Sequence, residues 1–479
     1  MMLQNQAKSI TILHTNDIHS HFETVSSIAA LAAAERAQAA ESPLLLVDIG
    51  DHMDRTAVET EGTMGQTNID ILNLTGYEAV TIGNNEGLTF TPDVLERLYA
   101  GLQSPVICCN IHEQLSSAPP AWMKKRVILD KDGIRIGLTG ATAPFADFYK
   151  LLGWDALEPL QALQEQVEAL RPEADIVIVL SHLGLTTDRL MAERIPGIDL
   201  ILGGHTHHLL EEPLRIGDTV LCAAGKYGQY VGKVVMTQQD DGRFRVIEGG
   251  CQPVDTGLLD ETVSRALGIH RERAEEALKE PVAVTDRPLS LTHTGESPFG
   301  NLLAQSVRQF TGAELSLVNT GQLLGDLPEG EITAGLLHEL CPSPINPCVI
   351  SLKGEHIRRS LEESLLPEYW SKEIRGFGFR GNVLGNIAVD GIEVLYDPSR
   401  IPYDRIVQIS LQGEPLQDDR MYTVGTLDMF TFGTGYEQIS RGEDPKYLLP
   451  EFLRDLLRLE LQRPGSLDTC GKHRWIEVV

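Results

Sequence analysis

The sequence predicts an α/β fold, and three observations carry that prediction. Short apolar runs recur at 10–13, 44–47, 78–82, 105–109, 134–139, 175–180 and 198–202. Stretches of helical composition lie between them, at 25–40, 64–75, 157–170 and 186–194. Such alternation marks strands covered by helices. Several runs also end in a small polar cluster holding Asp, Asn or His. In α/β sheets ligands gather beyond the C-terminal ends of strands, so these clusters are expected to share one edge.

Taken in order, the 10–13 run ends at His14-Thr15-Asn16-Asp17-Ile18-His19. An alanine-rich helix follows, then a buried strand at 44–47 that ends at Asp48-Ile49-Gly50-Asp51-His52. Gly76 stops the helix at 64–75, as glycine commonly does. The 78–82 run ends at Gly83-Asn84-Asn85-Glu86. Thr91-Pro92-Asp93 opens a helix with proline at an early position. Asp132-Gly133 is a hairpin signal between 127–129 and 134–139. The 175–180 run ends at Ser181-His182, and 198–202 leads into Gly203-Gly204-His205-Thr206-His207. Residues 219–248 read as antiparallel strands. Residues 260–280 are charged and helix-prone, and Pro281 ends them. They suit a surface helix or a link between domains. The expected layout is a first domain at 8–255, a linking helix at 258–280 and a second domain at 282–479. The second is expected to hold helices at 298–310, 356–365 and 451–461. Its strands are expected at 315–318, 348–352, 392–396, 405–411 and 421–427.

A chain of 479 residues has room for two or three domains. Its net charge of −28 argues against a nucleic-acid polymer or an anionic membrane as partner. It leaves a small molecule as the expected ligand. A phosphate would be repelled by that bulk charge unless bound divalent cations inverted it locally. The seven cysteines form no C-x-x-C pair, which excludes a zinc ribbon or a thioredoxin-type motif. Reduced thiols, the lack of an apolar leader and the lack of any run near the ~20 residues that span a bilayer point to the cytoplasm. Oligomeric state leaves no signal.

Each polar cluster alone has a plain explanation: Gly-Asp is commonly a turn, Gly-Asn a loop, and a lone His a satisfied polar group. Their joint occurrence suggests a dinuclear metal site. Asp17 and His19 alternate, so both can reach one ion. Asp51 suits a bridge, because a carboxylate has two oxygens and the charge that two cations need. Asn84 offers a neutral oxygen, and His182, His205 and His207 offer imidazole nitrogen. Mixed nitrogen and oxygen ligands suit manganese, zinc, cobalt or iron rather than an all-oxygen cage. Two such ions ~3.5–4 Å apart can hold a hydroxide and a phosphoryl group together for in-line attack.

The order D-x-H, G-D, G-N, H, G-H-x-H resembles the calcineurin-like metallophosphoesterases. Leu13-His14-Thr15-Asn16-Asp17-Ile18-His19 is similar to the 5′-nucleotidase and UDP-sugar hydrolase branch. Glu296-Ser297-Pro298-Phe299-Gly300-Asn301-Leu302, Asn319-Thr320-Gly321 and Gly433-Thr434-Gly435-Tyr436 resemble segments of that branch's C-terminal domain. The resemblance implies a four-layer α/β/β/α metallophosphatase sandwich, joined by a helix to an α/β substrate-recognition domain. It implies one ion on Asp17, His19, Asp51 and His207, and another on Asp51, Asn84, His182 and His205. The implied activity is hydrolysis of a phosphate ester, plausibly a nucleotide.

The departures from that pattern bear on activity. The family's G-N-H-E-F-D is here Gly83-Asn84-Asn85-Glu86-Gly87-Leu88. Asn85 and Leu88 thus replace a His-Asp dyad that contacts the phosphoryl group. Asn85 can still donate a neutral hydrogen bond but supplies no proton. His52, beside the proposed bridge, is the preferred substitute, ahead of His21 and His208. In the C-terminal domain the resemblance makes Asn319 and Gly321 candidates for substrate contact, and leaves the base-stacking pair open among Phe430, Phe432, Tyr436, Phe377 and Phe379. Arg375, Phe377 and Arg380 are candidates for the positive charge and base stacking that the altered loops lack. Two rival readings remain: a metal- and nucleotide-binding protein with little turnover, and metals of purely structural use.

Overall fold

The computed structural model describes residues 8–38, 42–376 and 378–478. The chain divides into two compact units, Met1–Glu275 and Glu276–Val479.

The first unit is built on two sheets. One holds seven strands in the order Phe244–Pro253, Tyr230–Gln238, Ser9–Thr15, Leu44–Asp48, Ala79–Val80, Val106–Ile107 and Met123–Lys124. The other holds six: Leu214–Ile216, Thr219–Ala223, Leu200–Gly203, Ile176–His182, Ile134–Thr142 and Arg126–Lys131. The strand that ends at His182 shows why they stack. Ile176, Ile178 and Leu180 face Ile10, Ile12, Leu45 and Val47 of the other sheet. The alternate Val177 and Val179 meet Leu163 and Val167 of the Pro159–Leu170 helix and Met191 of the Leu185–Arg194 helix. Side chains alternate between faces along a strand, so one apolar run feeds two layers of core. Each fully buried Ile, Leu or Val contributes roughly 1.5–3 kcal/mol. With the Phe22–Gln38 and Gln66–Thr75 helices beside the first sheet, the layers read α/β/β/α.

The Arg126–Lys131 and Ile134–Thr142 strands pair antiparallel. Asp132 (φ 52°) and Gly133 (φ 75°) make the turn between them. Both are left-handed, as the right-handed twist of a two-residue hairpin requires. Residues 219–248 hold the expected antiparallel pairings but divide them between two sheets. In the second sheet Thr219–Ala223 runs antiparallel to Leu214–Ile216 and parallel to Leu200–Gly203, and in the first Tyr230–Gln238 runs antiparallel to both Phe244–Pro253 and Ser9–Thr15. A run apolar on both faces looks the same for either partner, so the sequence does not record the change of sheet.

The helix Glu261–Ala277 buries Val263, His270 and Ala274, on one face at helical spacing. Ser264 bonds Ser26 through their hydroxyls at 2.7 Å, His270 meets Asp70 at 3.0 Å, and Arg271 meets Glu59 at 3.2 Å. Gly62 leaves the room that Ala274 fills.

The second unit carries a five-stranded sheet, ordered Ile387–Asp390, Leu315–Asn319, Met421–Leu427, Pro347–Lys353 and Glu443–Tyr447. A four-stranded sheet holds Glu414–Pro415, Ile406–Leu411, Ile392–Tyr396 and Trp475–Glu477. Phe299, Leu302, Leu303 and Val307 of the Pro298–Thr311 helix join Leu453, Leu456 and Leu457 of the Leu453–Leu461 helix in its core. Among the described residues no helix is long and apolar enough to cross a membrane.

His14 lies in the middle of this first-unit architecture. It is fully buried, neither ring nitrogen has a hydrogen-bond partner, and burial pushes its imidazole down to about 4. The unfolded chain therefore binds the extra proton first, at its ordinary value of about 6.5. Stability is fully present above that value and is lost as pH falls towards 4, by on the order of 3 kcal/mol. In metal-free protein, the urea midpoint of His14→Leu is expected to fall less than the parent's between pH 7 and 4.5. Parallel curves would refute this.

Candidate metal centre

Five strand ends of the first unit bring their polar residues to one place. Ser9–Thr15 leads to Asp17 and His19, Leu44–Asp48 to Asp51, and Ala79–Val80 to Asn84. His182 is the last residue of its strand, and Leu200–Gly203 leads to His205 and His207. The first two loops are laced together: the Asp17 N–H donates to the Gly50 carbonyl (3.0 Å), that of His19 to Asp51 (2.8 Å), and that of Ser20 to His52 (2.9 Å). Asp17, His19, Asp51, His205 and His207 all have positive φ, from 48° to 71°. Few non-glycine residues adopt this region, Asn, Asp and His more readily than the rest, and such backbone clusters at functional sites.

Glu86 ties the second loop to the third. Its carboxylate accepts the backbone N–H groups of Asp51 (3.0 Å), Gly83 (2.8 Å) and Met53 (2.8 Å). The Asn85 N–H donates to Asp51 Oδ1 at 2.8 Å, which leaves Oδ2 for the centre. Gly83 stands against that carboxylate, and a Cβ there would overlap Asp51 Oδ1. Gly83→Ala is therefore expected to push Asp51 aside and weaken metal retention at least tenfold, read as ions per chain after dialysis. Parent-like retention would show that the contact does not matter.

The ligand atoms form two overlapping groups. Asp17, His19 and His207 make one, and Asp17, Asp51 and His182 the other, each with its atoms within 4.8 Å of one another. Asp17 Oδ1 lies 3.8 Å from His19 Nε2, 3.4 Å from His207 Nε2 and 3.9 Å from His182 Nε2. Asp51 Oδ2 lies 3.8 Å from His19 Nε2 and 3.4 Å from His182 Nε2. Both carboxylates thus straddle the two groups. His205 stands beside them, its ring 5.2 Å from that of His182 and its N–H on the Asp17 carboxylate.

Two buried atoms test whether cations fit. Asn84 Oδ1 and His182 Nε2 are buried without a hydrogen-bond partner, a costly arrangement unless something else occupies them. The Nδ1–H of His182 donates to the Ile49 carbonyl at 2.8 Å, so the lone pair of Nε2 points inward, as a metal-binding imidazole requires. Without a cation, a proton stands in. Burial opposes charge on His182, yet Asp51 and Asp17 push it up to about 10. Burial likewise opposes charge on Asp51, and His182 and His19 overcome it, holding the carboxyl well below its usual range. Burial, with His182 adding to it, lowers His205 to about 4 and keeps it neutral. Burial, with Asp51 adding to it, lifts Glu86 to about 7. The site is thus dense in buried carboxylates, and its donors fit divalent cations.

The other predicted residues lie elsewhere or are already engaged. Asn85 turns inward: its amide nitrogen is 3.0 Å from His19 Nδ1 and donates to the Met53 carbonyl at 3.1 Å. His52 faces away from the ligand groups. Its Nδ1 is 3.2 Å from the Asn68 amide, its ring meets Tyr77 edge-on, and burial lowers it to about 3. An imidazole that stays neutral until the pH falls near that value offers no imidazolium proton to a leaving group at neutral pH. His21 stacks on Tyr227 and meets Glu23, and His208 meets Thr206. In the second unit, Asn319 is fully buried and spends its amide on the Leu384 carbonyl and Gln322. Gly321 is buried against the carbonyls of Val383 and Leu384, and Tyr436 is buried with its hydroxyl on the Gly385 carbonyl. Those three are packed rather than presented. Arg375 is exposed beside Glu373, Arg380 is half-buried, and Phe432 is exposed and stacked on Tyr447. Phe377 lies outside the described residues.

Three residues near the centre were not singled out from the sequence. Asp54 is buried beside His19. Tyr227, at φ 61°, donates its N–H to the Asp17 carbonyl at 2.8 Å. Its ring lies 5.9 Å from that of His19 and 6.4 Å from that of His207. Lys226 sets its ammonium 4.3 Å from the Tyr227 ring centre. None belongs to a two-residue motif, so only folding reveals them.

Comparison with known proteins agrees with this geometry. Residues 10–209 match the calcineurin-like phosphoesterase family, and 278–441 match the C-terminal domain of 5′-nucleotidases. The chain is 36% identical over 462 residues to the uncharacterized metallophosphoesterase YunD of Bacillus subtilis, covering 95% of this chain and 99% of that protein. It is 24% identical to the 5′-nucleotidase of Rattus norvegicus, over 87% of this chain and 81% of that one. The structure of Haemophilus influenzae NAD nucleotidase superposes with a TM-score of 0.68 at 16% identity, covering 99% of this chain and 98% of that one. The chain therefore belongs to the calcineurin-like phosphoesterases that carry a 5′-nucleotidase C-terminal domain, and it is a metal-dependent phosphoric ester hydrolase.

Proposed function

We propose that the chain hydrolyses a small phosphate ester, a nucleotide in the first instance, at two divalent cations. Asp17, His19, Asp51 and His207 would hold one, and Asp51, Asn84, His182 and His205 the other. The observation that carries this reading is the pair of orphaned buried donors, Asn84 Oδ1 and His182 Nε2, beside two carboxylates that each face both groups. Manganese, zinc, cobalt and iron all suit such donors. Bound there, the cations would acidify water and offset charge on the phosphoryl oxygens. The protein's own part is to fix the ligands: Glu86 holds the Asp51 loop, and the Ile49 carbonyl holds the His182 ring.

Asn85 offers no proton to a leaving group. We infer that the enzyme favours esters whose alcohol departs without one, such as aryl esters or anhydride-like phosphates. Lys226 makes no ion pair among the described residues, and supplies positive charge next to the Tyr227 ring. Lys226→Met is expected to raise KM about fivefold for an anionic ester, the ~1 kcal/mol of one partly screened charge, with metal content unchanged. An unaltered KM would remove Lys226 from substrate binding. The reaction is placed in the cytoplasm, a reading supported by seven free cysteines.

The test is turnover by manganese-, zinc- or cobalt-loaded protein on p-nitrophenyl phosphate, its bis-ester and a nucleotide panel. Turnover on a nucleotide that is abolished in Asp51→Asn supports the reading. Two bound ions with no turnover on any substrate would overturn it in favour of a binding protein.

A further inference from the structure

A histidine that ligates through one ring nitrogen must carry its proton on the other, and a partner must accept that proton to fix the ring. For His182 the partner is the Ile49 carbonyl. For His19 it is less evident. Its Nε2 faces the ligand cluster, 3.2 Å from His207 Nε2 and 3.8 Å from both Asp17 Oδ1 and Asp51 Oδ2. Its Nδ1 faces two groups. One is the Asn85 amide, at 3.0 Å. That nitrogen also donates to the Met53 carbonyl, which fixes the amide with its N–H₂ towards the ring. A donor there cannot accept the Nδ1 proton. The other group is the Asp54 carboxylate, whose Oδ2 is 3.6 Å from His19 Nδ1.

Asp54 is built to face this way. Its side chain is only 5% exposed. Oδ1 accepts both the backbone N–H (2.8 Å) and the hydroxyl (2.6 Å) of Thr56, which orients the carboxylate and leaves Oδ2 towards His19. Its own N–H donates to Ser20 Oγ at 2.8 Å. That hydroxyl also receives the Thr60 hydroxyl (2.7 Å) and the Asn68 amide (3.0 Å). The His19 loop and the Asp54 loop are therefore locked to each other by a buried network next to the ring.

We propose that Asp54 is the positioning residue of His19. With Nε2 ligating, it would accept the Nδ1 proton by closing the 3.6 Å gap, fix the tautomer that presents Nε2 to the cluster, and so tune one of the two cation sites. This rests on the ligand set proposed above. Asp54 touches no substrate in this role, and its effect runs through His19 alone.

The experiment uses full-length protein and manganese(II) as the probe. Ions per chain are counted after dialysis, and each affinity is measured by chelator competition, for the parent, Asp54→Ala, Asp54→Asn and His19→Ala. Asp54→Ala is expected to weaken one ion by about 10–100-fold, the range for removing an outer partner of a ligating histidine, and to leave the other ion unchanged. Asp54→Asn, whose amide oxygen still accepts, is expected to lose less in the same ion. It carries the test if the alanine variant does not fold. The visible spectrum of the cobalt(II)-loaded protein should shift with Asp54→Asn as well. The proposal is overturned if both Asp54 variants retain both ions with parent affinity while His19→Ala loses one. It is also overturned if Asp54→Asn weakens both ions equally and lowers the melting temperature of the metal-free protein, which a purely structural role would do. If the parent binds no manganese, or His19→Ala costs none, the ligand set itself fails and this inference falls with it.

Discussion

Asp51→Asn is expected to lower turnover on p-nitrophenyl phosphate by on the order of 10³-fold, or about 4 kcal/mol of transition-state stabilisation. The reason is charge. Asp51 Oδ2 faces His19 and His182, one from each ligand group. Its Oδ1 is already committed to the Asn85 N–H. An amide keeps the shape and the Oδ1 contact but presents a neutral atom to both cations. The variant should therefore fold, keep at most one tightly held ion, and lose rate on every ester tested. Its metal-free form should melt lower than the parent's, because His182 and His19 hold the buried Asp51 carboxylate charged and an amide leaves that ion pair broken. A variant that retains parent turnover would mean that the reaction occurs at another place.

The second large effect is a gain. Asn85→His combined with Leu88→Asp is expected to raise turnover on a nucleoside monophosphate by on the order of 10²-fold or more, the usual worth of a positioned general acid. Both positions lie on the helix Asn84–Thr89, and residues three apart share a face. Neither is buried. The gain should be largest for alkyl esters, whose leaving group needs a proton, and small for p-nitrophenyl phosphate. The Asn85 side chain also contacts His19 and Met53, so ion content must be matched before rates are compared. With matched ions and no preferential gain on the alkyl ester, the missing dyad is not what limits the rate.

What the sequence reveals here follows from how local each signal is. Asp17, His19, Asp51, Asn84, His182, His205 and His207 each follow an apolar run by a few residues, so their gathering at one end of the strands can be read without folding the chain. The C-terminal ligand site cannot. Asn319, Gly321 and Tyr436 sit in glycine-rich loops that look like binding loops, yet their polar atoms are spent on Leu384, Gln322 and Gly385. Glycine permits close backbone approach for packing and for ligands alike, and composition does not distinguish the two. His52 misleads for a related reason. Adjacency in sequence does not fix direction where the chain turns through a left-handed residue at Asp51, and His52 packs on Asn68 and Tyr77 rather than facing the cluster. Asp54 meets His19 across two loops and Lys226 lies over the neighbouring Tyr227 ring, and nothing in their own sequence neighbourhoods marks them.

The positive φ angles at Asp17, His19, Asp51, His205 and His207 also limit how these loops can change by mutation. Asparagine and glycine enter that backbone region readily, whereas valine, isoleucine and threonine meet a steric penalty there. An Asp51→Val exchange would disturb the loop itself as well as the charge, while Asp51→Asn would disturb the charge alone. Sequence drift at these five positions is thereby channelled towards small polar residues, so descendants that abandon the chemistry should keep the shape of the loops long after the ligands are gone.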